Sequence, residues 1–103
     1  MISRQDFVFT IGYEGNIAVV DGTLKKRYGS LSTEQLAEKQ LYKHAVCSAV
    51  YEESSSKESG GALQTVLEIH NRNAEKRIAG VEELKRTFGV HQVPEGIAKV
   101  TVI

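Results

Sequence analysis

The sequence predicts a small two-layer α+β domain: an antiparallel sheet built from an N-terminal hairpin and a C-terminal strand, covered by two or three helices. Three observations predict it. β-Rich runs bounded by turn residues stand at both ends of the chain, Phe7 to Val20 and Ile97 to Ile103. A full helix-start signal stands at Leu31 to Leu36. Between that start and the last strand, Ala62 to Phe88 keeps one apolar stripe at helical spacing. At 103 residues the chain makes one domain with a single core.

At the N-terminal end, Phe7, Phe9 and Ile11 alternate with Val8 and Thr10. After Gly12-Tyr13-Glu14-Gly15-Asn16 a second β-rich run, Ile17 to Val20, completes a hairpin. Asp21-Gly22 tolerates positive φ and suits a type I′ turn, which makes Thr23 to Tyr28 a third strand. Lys25-Lys26-Arg27 would then lie on an exposed edge, where charge discourages stray pairing; the same cluster is also a candidate phosphate contact.

Gly29-Ser30 closes this region. Ser32 and Gln35 match a capping box, and Leu31 and Leu36 occupy the two positions of a hydrophobic staple, so a helix starts at Thr33. From Ala45 to Tyr51 the run is apolar nearly all round, and a helix of that kind must be covered on more than one side. A buried strand has the same run, but Ala45, Ala49 and the upstream cap favour helix. Glu52 to Gly61 is Ser- and Gly-rich, has nothing to bury, and reads as a mobile loop. Gly89 stands where a left-handed C-cap ends the long helical stretch, and Pro94 and Gly96 mark a turn. In the last strand Ala98, Val100 and Val102 share one face, Lys99 and Thr101 the other. There is no internal repeat.

Within Ala62 to Phe88, Leu63, Val66, Leu67, His70, Ala74, Arg77, Ile78, Val81, Leu84 and Phe88 fall in one sector at about 100° per residue. Unbroken, this helix would be roughly 40 Å long, against a domain width of roughly 30 Å, and would overhang its own core. A break at Asn71 to Asn73 or at Gly80 gives two ordinary helices instead. Spacings alternating by four and three through Leu63, Leu67, His70, Ala74, Arg77, Val81, Leu84 and Phe88 resemble a helix-pairing seam, with His70 and Arg77 as polar groups that fix register. The expectation is a non-enzymatic association module, a homodimer whose interface is Leu63, Leu67, His70, Arg77, Val81, Leu84 and Phe88, with another protein as the alternative partner. The usual explanation of His70 is a core or interface histidine whose ring nitrogens are satisfied by backbone or water.

Thirteen Lys and Arg balance thirteen Asp and Glu, so the strong basic excess of a nucleic-acid-binding domain is missing. The alternative of a nucleic-acid-binding regulator would rest on Lys25, Lys26, Arg27, Arg72, Lys76, Lys85 and Arg86. A further alternative is a small-molecule-binding domain or enzyme with a pocket near His70. The single cysteine, Cys47, excludes an internal disulfide framework. The opening MISRQDF lacks the apolar run of a signal peptide, and no stretch approaches the roughly 20 apolar residues of a membrane helix. A soluble, cytoplasmic protein is expected. Gly12, Gly15 and Gly22 match neither phosphate-loop pattern, and no cofactor is predicted. His44, Cys47, His70 and His91 contain no close-spaced ligand pair, so no metal is predicted. Cys47 lies late in its helix among Ala, Val and Tyr, where burial keeps a thiol protonated. Glu14 and Asp21 flank the hairpin without the shown proximity that acid–base catalysis needs, and no catalytic residue is assigned.

Thr33-Glu34-Gln35-Leu36-Ala37-Glu38-Lys39 resembles the first helix of a helix-turn-helix, and Cys47 and Val50 fall where the recognition helix of that motif is apolar. The resemblance covers the segment near 33–51 and implies DNA binding. It departs at Leu41, where the family has a turn glycine, and in Tyr42 to Glu53, which lacks the Arg and Gln that read bases. Thr10-Ile11-Gly12-Tyr13-Glu14-Gly15 resembles the opening of a family of uncharacterised bacterial α/β domains, from which no site residue carries over.

Overall fold

The structure, a computed structural model, describes residues 2–55, 61–90 and 92–103. Among them six helices and three strands form an α+β domain, with a sheet in the order β1–β2–β3. The chain opens on α1 (Arg4–Val8), capped by Ser3, whose Oγ accepts from the Asp6 N–H at 3.2 Å. Phe7 and Val8 are therefore helical and buried, and the strand predicted from Phe7 starts only at β1 (Thr10–Glu14). A local cap outweighs a short run of alternating residues. Gly15, at φ 60°, and Asn16 make the turn to β2 (Ile17–Val20), with glycine at the first turn position as a type II′ hairpin requires. The ladder slips between Thr10 and Gly12, leaving Ile11 as the extra residue of a bulge.

The predicted third strand is a helix, α2 (Gly22–Tyr28). Asp21 caps it, its carboxylate accepting from the Leu24 N–H at 3.0 Å, and Lys25, Lys26 and Arg27 fill the last turn, where cations complement the helix dipole. A turn and a cap use the same residue type, and the helix wins because Asp21 finds N–H groups to satisfy. The capping box forms as expected at α3 (Thr33–Glu38): Ser32 Oγ accepts from the Gln35 N–H at 3.1 Å while Gln35 Oε1 accepts from the Ser32 N–H at 2.9 Å. Gln40 then adopts φ 64° and separates α3 from α4 (Tyr42–Ser55). Ala45 to Val50 are all buried, as the absence of a polar face demands, because α4 packs against α1, α3 and α5 at once. Glu52 to Ser55, read as loop, continue α4, and 56–60 lie outside the described residues.

The long stripe is two helices, α5 (Ala62–Asn73) and α6 (Val81–Thr87), joined by an excursion over 74–80. The whole chain measures 37 × 29 × 21 Å, so neither helix overhangs it. Gly89, at φ 68°, follows α6 as the predicted left-handed cap, and β3 (Lys99–Val102) closes the chain.

The sheet is mixed rather than antiparallel. β2 pairs antiparallel with β1 but parallel with β3, in the register Ile17↔Lys99, Ala18↔Val100, Val19↔Thr101 and Val20↔Val102. After five helices the chain returns to the end of β2 where that strand began, with the Ala98 N–H donating to the Asn16 carbonyl at 2.9 Å. A crossover of that length permits the parallel direction. The core lies on one side of the sheet: Ala18 and Val20 of the central strand are fully buried with Phe9, Leu36, Val46, Val66 and Leu84.

Candidate functional site

Of the predicted interface residues, Leu63, Leu67 and Leu84 belong to the chain's own core, and only Arg77 is exposed. Val81 and Phe88 are half-buried against the same core. The His70 ring stands edge-on to Tyr42 at 4.9 Å and to Phe88 at 6.0 Å, and its Nδ1 meets Asn71 Oδ1 at 3.1 Å. The break at Asn73 folds both ends of the stripe inward, so the surface they were expected to offer is covered within one chain.

The basic residues are dispersed. Lys25 pairs with Asp6 at 2.6 Å, Arg27 lies 6.0 Å from the centre of the Tyr28 ring, Arg72 reaches Glu38 at 3.8 Å, and Lys85 reaches Glu82 at 3.7 Å. Lys26, Lys76 and Arg86 are exposed on three different segments. α3 and α4 do make a helix–turn–helix path, with Gln40 one residue ahead of the departure noted at Leu41. Since α4 is buried all round at its centre, it has no free face to lay in a groove.

A cleft of about 230 Å³ opens between β1, α4 and the segment after α6, lined by Phe7, Tyr13, Lys43, Cys47, Val90 and Gln92. Burial pushes the Cys47 thiol up to about 11, with the Lys43 charge pulling the other way. Burial also raises Tyr13, opposed by a hydrogen bond with the Thr10 side chain and reinforced by Cys47. A thiol held that high carries almost no thiolate at neutral pH, so Cys47 stands in this cleft as a buried, protonated group. His44 does not serve it: Nδ1 meets the Val8 carbonyl at 3.0 Å and the ring packs on Phe9 at 5.0 Å. No group of three His, Cys, Asp or Glu side chains could hold a metal among the described residues, and no helix there is long and apolar enough to cross a membrane.

The feature that sequence reasoning missed is the face of the sheet turned away from the core. Register places Gly12, Val19 and Thr101 in one row across it, and Glu14, Ile17 and Lys99 in the next. Ile17 and Val19 are half-buried at its centre, and Glu14 and Lys99 are exposed at its edges. Among the described residues the exposed large apolar ones are Ile11, Tyr13, Val102 and Ile103, 46 to 69% accessible; Tyr13 and Val102 pair with Ala18 and Val20 and so belong to the core-side rows, not to this face. The signal was present in β2, which reads Ile-Ala-Val-Val with no polar alternation, the pattern of a strand covered on both faces.

No protein-family model matches the chain, and no curated protein or solved structure matches it either.

Proposed function

We propose that the chain is a protein-association module, a homodimer joined through the open face of its sheet. The observation that carries this reading is β2. Ala18 and Val20 fill the core, yet the alternate residues Ile17 and Val19 are apolar too, and β2 lies parallel to β3. Sheets built of parallel strands are covered on both faces, and among the described residues the helices cover the Ala18 and Val20 face of this one. A second layer against Ile17 and Val19 completes the arrangement. The face is three short strands wide, so association belongs to the weak class of interface, below about 1,200 Å² in total.

Sedimentation velocity from about 10 µM to about 1 mM covers the affinities such a face supports. The mass rises with concentration for the native chain. Val19→Lys keeps the circular dichroism spectrum of the fold and stays monomeric throughout the range. A native chain that remains monomeric at the top of the range removes the reading.

A further inference from the structure

We infer that what covers this face is a second copy related by a twofold axis running along β2, an arrangement that sets Glu14 of each copy opposite Lys99 of the other. The inference rests on the association reading above and adds the geometry.

The outer rows are ordered by charge. Glu14 stands on β1, Ile17 on the central strand and Lys99 on β3, all in one row; Gly12, Val19 and Thr101 form the neighbouring row in the same strand order. Glu14 and Lys99 are both exposed, on opposite edges of the sheet, and neither has a salt-bridge partner among the described residues. A face carrying acid on one edge, apolar residues along the middle and base on the other edge complements itself under one rotation.

Two twofold axes in the plane of the interface bring such a face onto itself. An axis across the strands lays β1 on β1 and β3 on β3, so that acid shares an edge with acid and base with base. An axis along β2 lays β1 of one copy over β3 of the other. Within the same row, Glu14 then faces Lys99 of the second copy, twice by symmetry. Ile17 faces Ile17 and Val19 faces Val19 on the axis, and Gly12, which has no side chain and open space around it, lies opposite Thr101. Strands in the two layers run in the same sense, and aligned sheets pack within about 30° at about 10 Å separation. Opposite charges at the rim select this pairing over its alternative and contribute specificity more than affinity.

The test is charge reversal followed by mixing, read by sedimentation velocity at low salt, with circular dichroism confirming the fold of each variant. Glu14→Lys places two lysines at each contact, and Lys99→Glu places two glutamates there. Each variant alone associates roughly tenfold more weakly than the native chain. An equimolar mixture of the two regains native association. In the mixed dimer the introduced lysine of one variant meets the introduced glutamate of the other at one contact, and the native Lys99 meets the native Glu14 at the second. The double variant E14K/K99E also regains it, and about 0.5 M salt narrows all these differences. Native association with unaltered variants, or variants weakened without rescue on mixing, overturns the twofold arrangement and leaves the association reading standing. A native chain that never associates removes the association reading itself.

Discussion

The side-chain amide of Asn71 closes a two-bond ring with the backbone of Ile78: Nδ2 donates to the Ile78 carbonyl at 2.8 Å and Oδ1 accepts from the Ile78 N–H at 2.8 Å. Asn71 thus presents to the returning chain the donor and acceptor that a neighbouring strand would offer, and pins the 74–80 excursion against α5. Ile78, 9% exposed, is held in the core by this ring. Asn71→Ala leaves both backbone groups without their partner and is expected to lower stability by about 2 kcal/mol, at about 1 kcal/mol per bond. Asn71→Asp keeps the acceptor and loses the donor, so it falls between the two. Urea denaturation checks both, and an Ala variant as stable as the native chain shows that the ring does not hold the turn.

Cys47 supplies a pH dependence with a definite sign. Its thiol has an ordinary value of 9.0 and about 11 in the folded chain, so between these values the unfolded chain gives up the proton and the native one keeps it. The contribution to stability is full below pH 9 and is lost as the pH rises towards 11, at about 1.4 kcal/mol per pH unit, or roughly 2 to 3 kcal/mol in all. The measurement that isolates this group is the difference between the native chain and Cys47→Ala. That difference should shrink as pH rises from 9 to 11. A difference that stays flat contradicts a buried, protonated thiol, as does fast reaction of the folded protein with a thiol reagent at pH 8.

Ser48 ties three helices together without any exposed atom. Its Oγ accepts from Arg4 Nε at 3.0 Å and shares a hydrogen bond of 2.7 Å with Thr33 Oγ1, while Arg4 Nη2 donates to the Leu31 carbonyl at 2.6 Å. Ser48 is fully buried and Thr33 is 6% exposed. Ser48→Ala is nearly neutral in volume but leaves Arg4 and Thr33 each short of a partner, which costs about 1 to 3 kcal/mol. Adding Thr33→Val to it removes one orphaned group and should recover part of that loss, a non-additivity that a double-mutant cycle in urea reads directly. Simple additivity of the two changes shows that the hydroxyls act independently.

What was legible in the sequence follows from how local each signal is. The capping box at Ser32 and Gln35 involves residues three apart and formed as read, as did the Gly89 cap and the division of faces in the last strand. The apolar belt from Ala45 to Val50 correctly demanded cover on several sides. Asp21 was misread because a turn and a helix cap draw on the same residue type, and only the N–H groups that follow distinguish them. The direction of β3 depends on where five helices return the chain, which no local pattern encodes. For Leu63 to Phe88 the sequence left one helix or two open, and the break at Asn71 to Asn73 is the reading that formed: Asn71 bonds to Ile78 through its side chain, so Leu63, Leu67 and Leu84 share one core without sharing one helix, while Arg77 of the same stripe is exposed. The outer face of the sheet was hidden for the same reason as the strand direction, since Glu14 and Lys99 come into one row only through pairing across β2.

Gly22 offers a test of that strand placement in which two effects of known sign oppose each other. It is the first residue of α2, and its N–H donates to the Ile103 carbonyl at 2.9 Å, just beyond the point where the Ile103 N–H donates to the Val20 carbonyl at 3.0 Å. A Cβ at this position would lie 2.7 Å from the Ile103 carbonyl oxygen and 2.8 Å from Val102 Cγ1. Helix propensity alone favours alanine over glycine by up to about 1 kcal/mol, less in a first turn. The clash involves backbone, which cannot turn aside as a flexible side chain does, and overpacking of this kind costs about 1 to 3 kcal/mol. The clash should win, so Gly22→Ala is destabilising. Hydrogen exchange should localise the change to the Ile103 amide and the β2–β3 ladder, leaving α4 and α5 protected as before. Should Gly22→Ala instead stabilise the protein, the end of β3 does not lie against the start of α2.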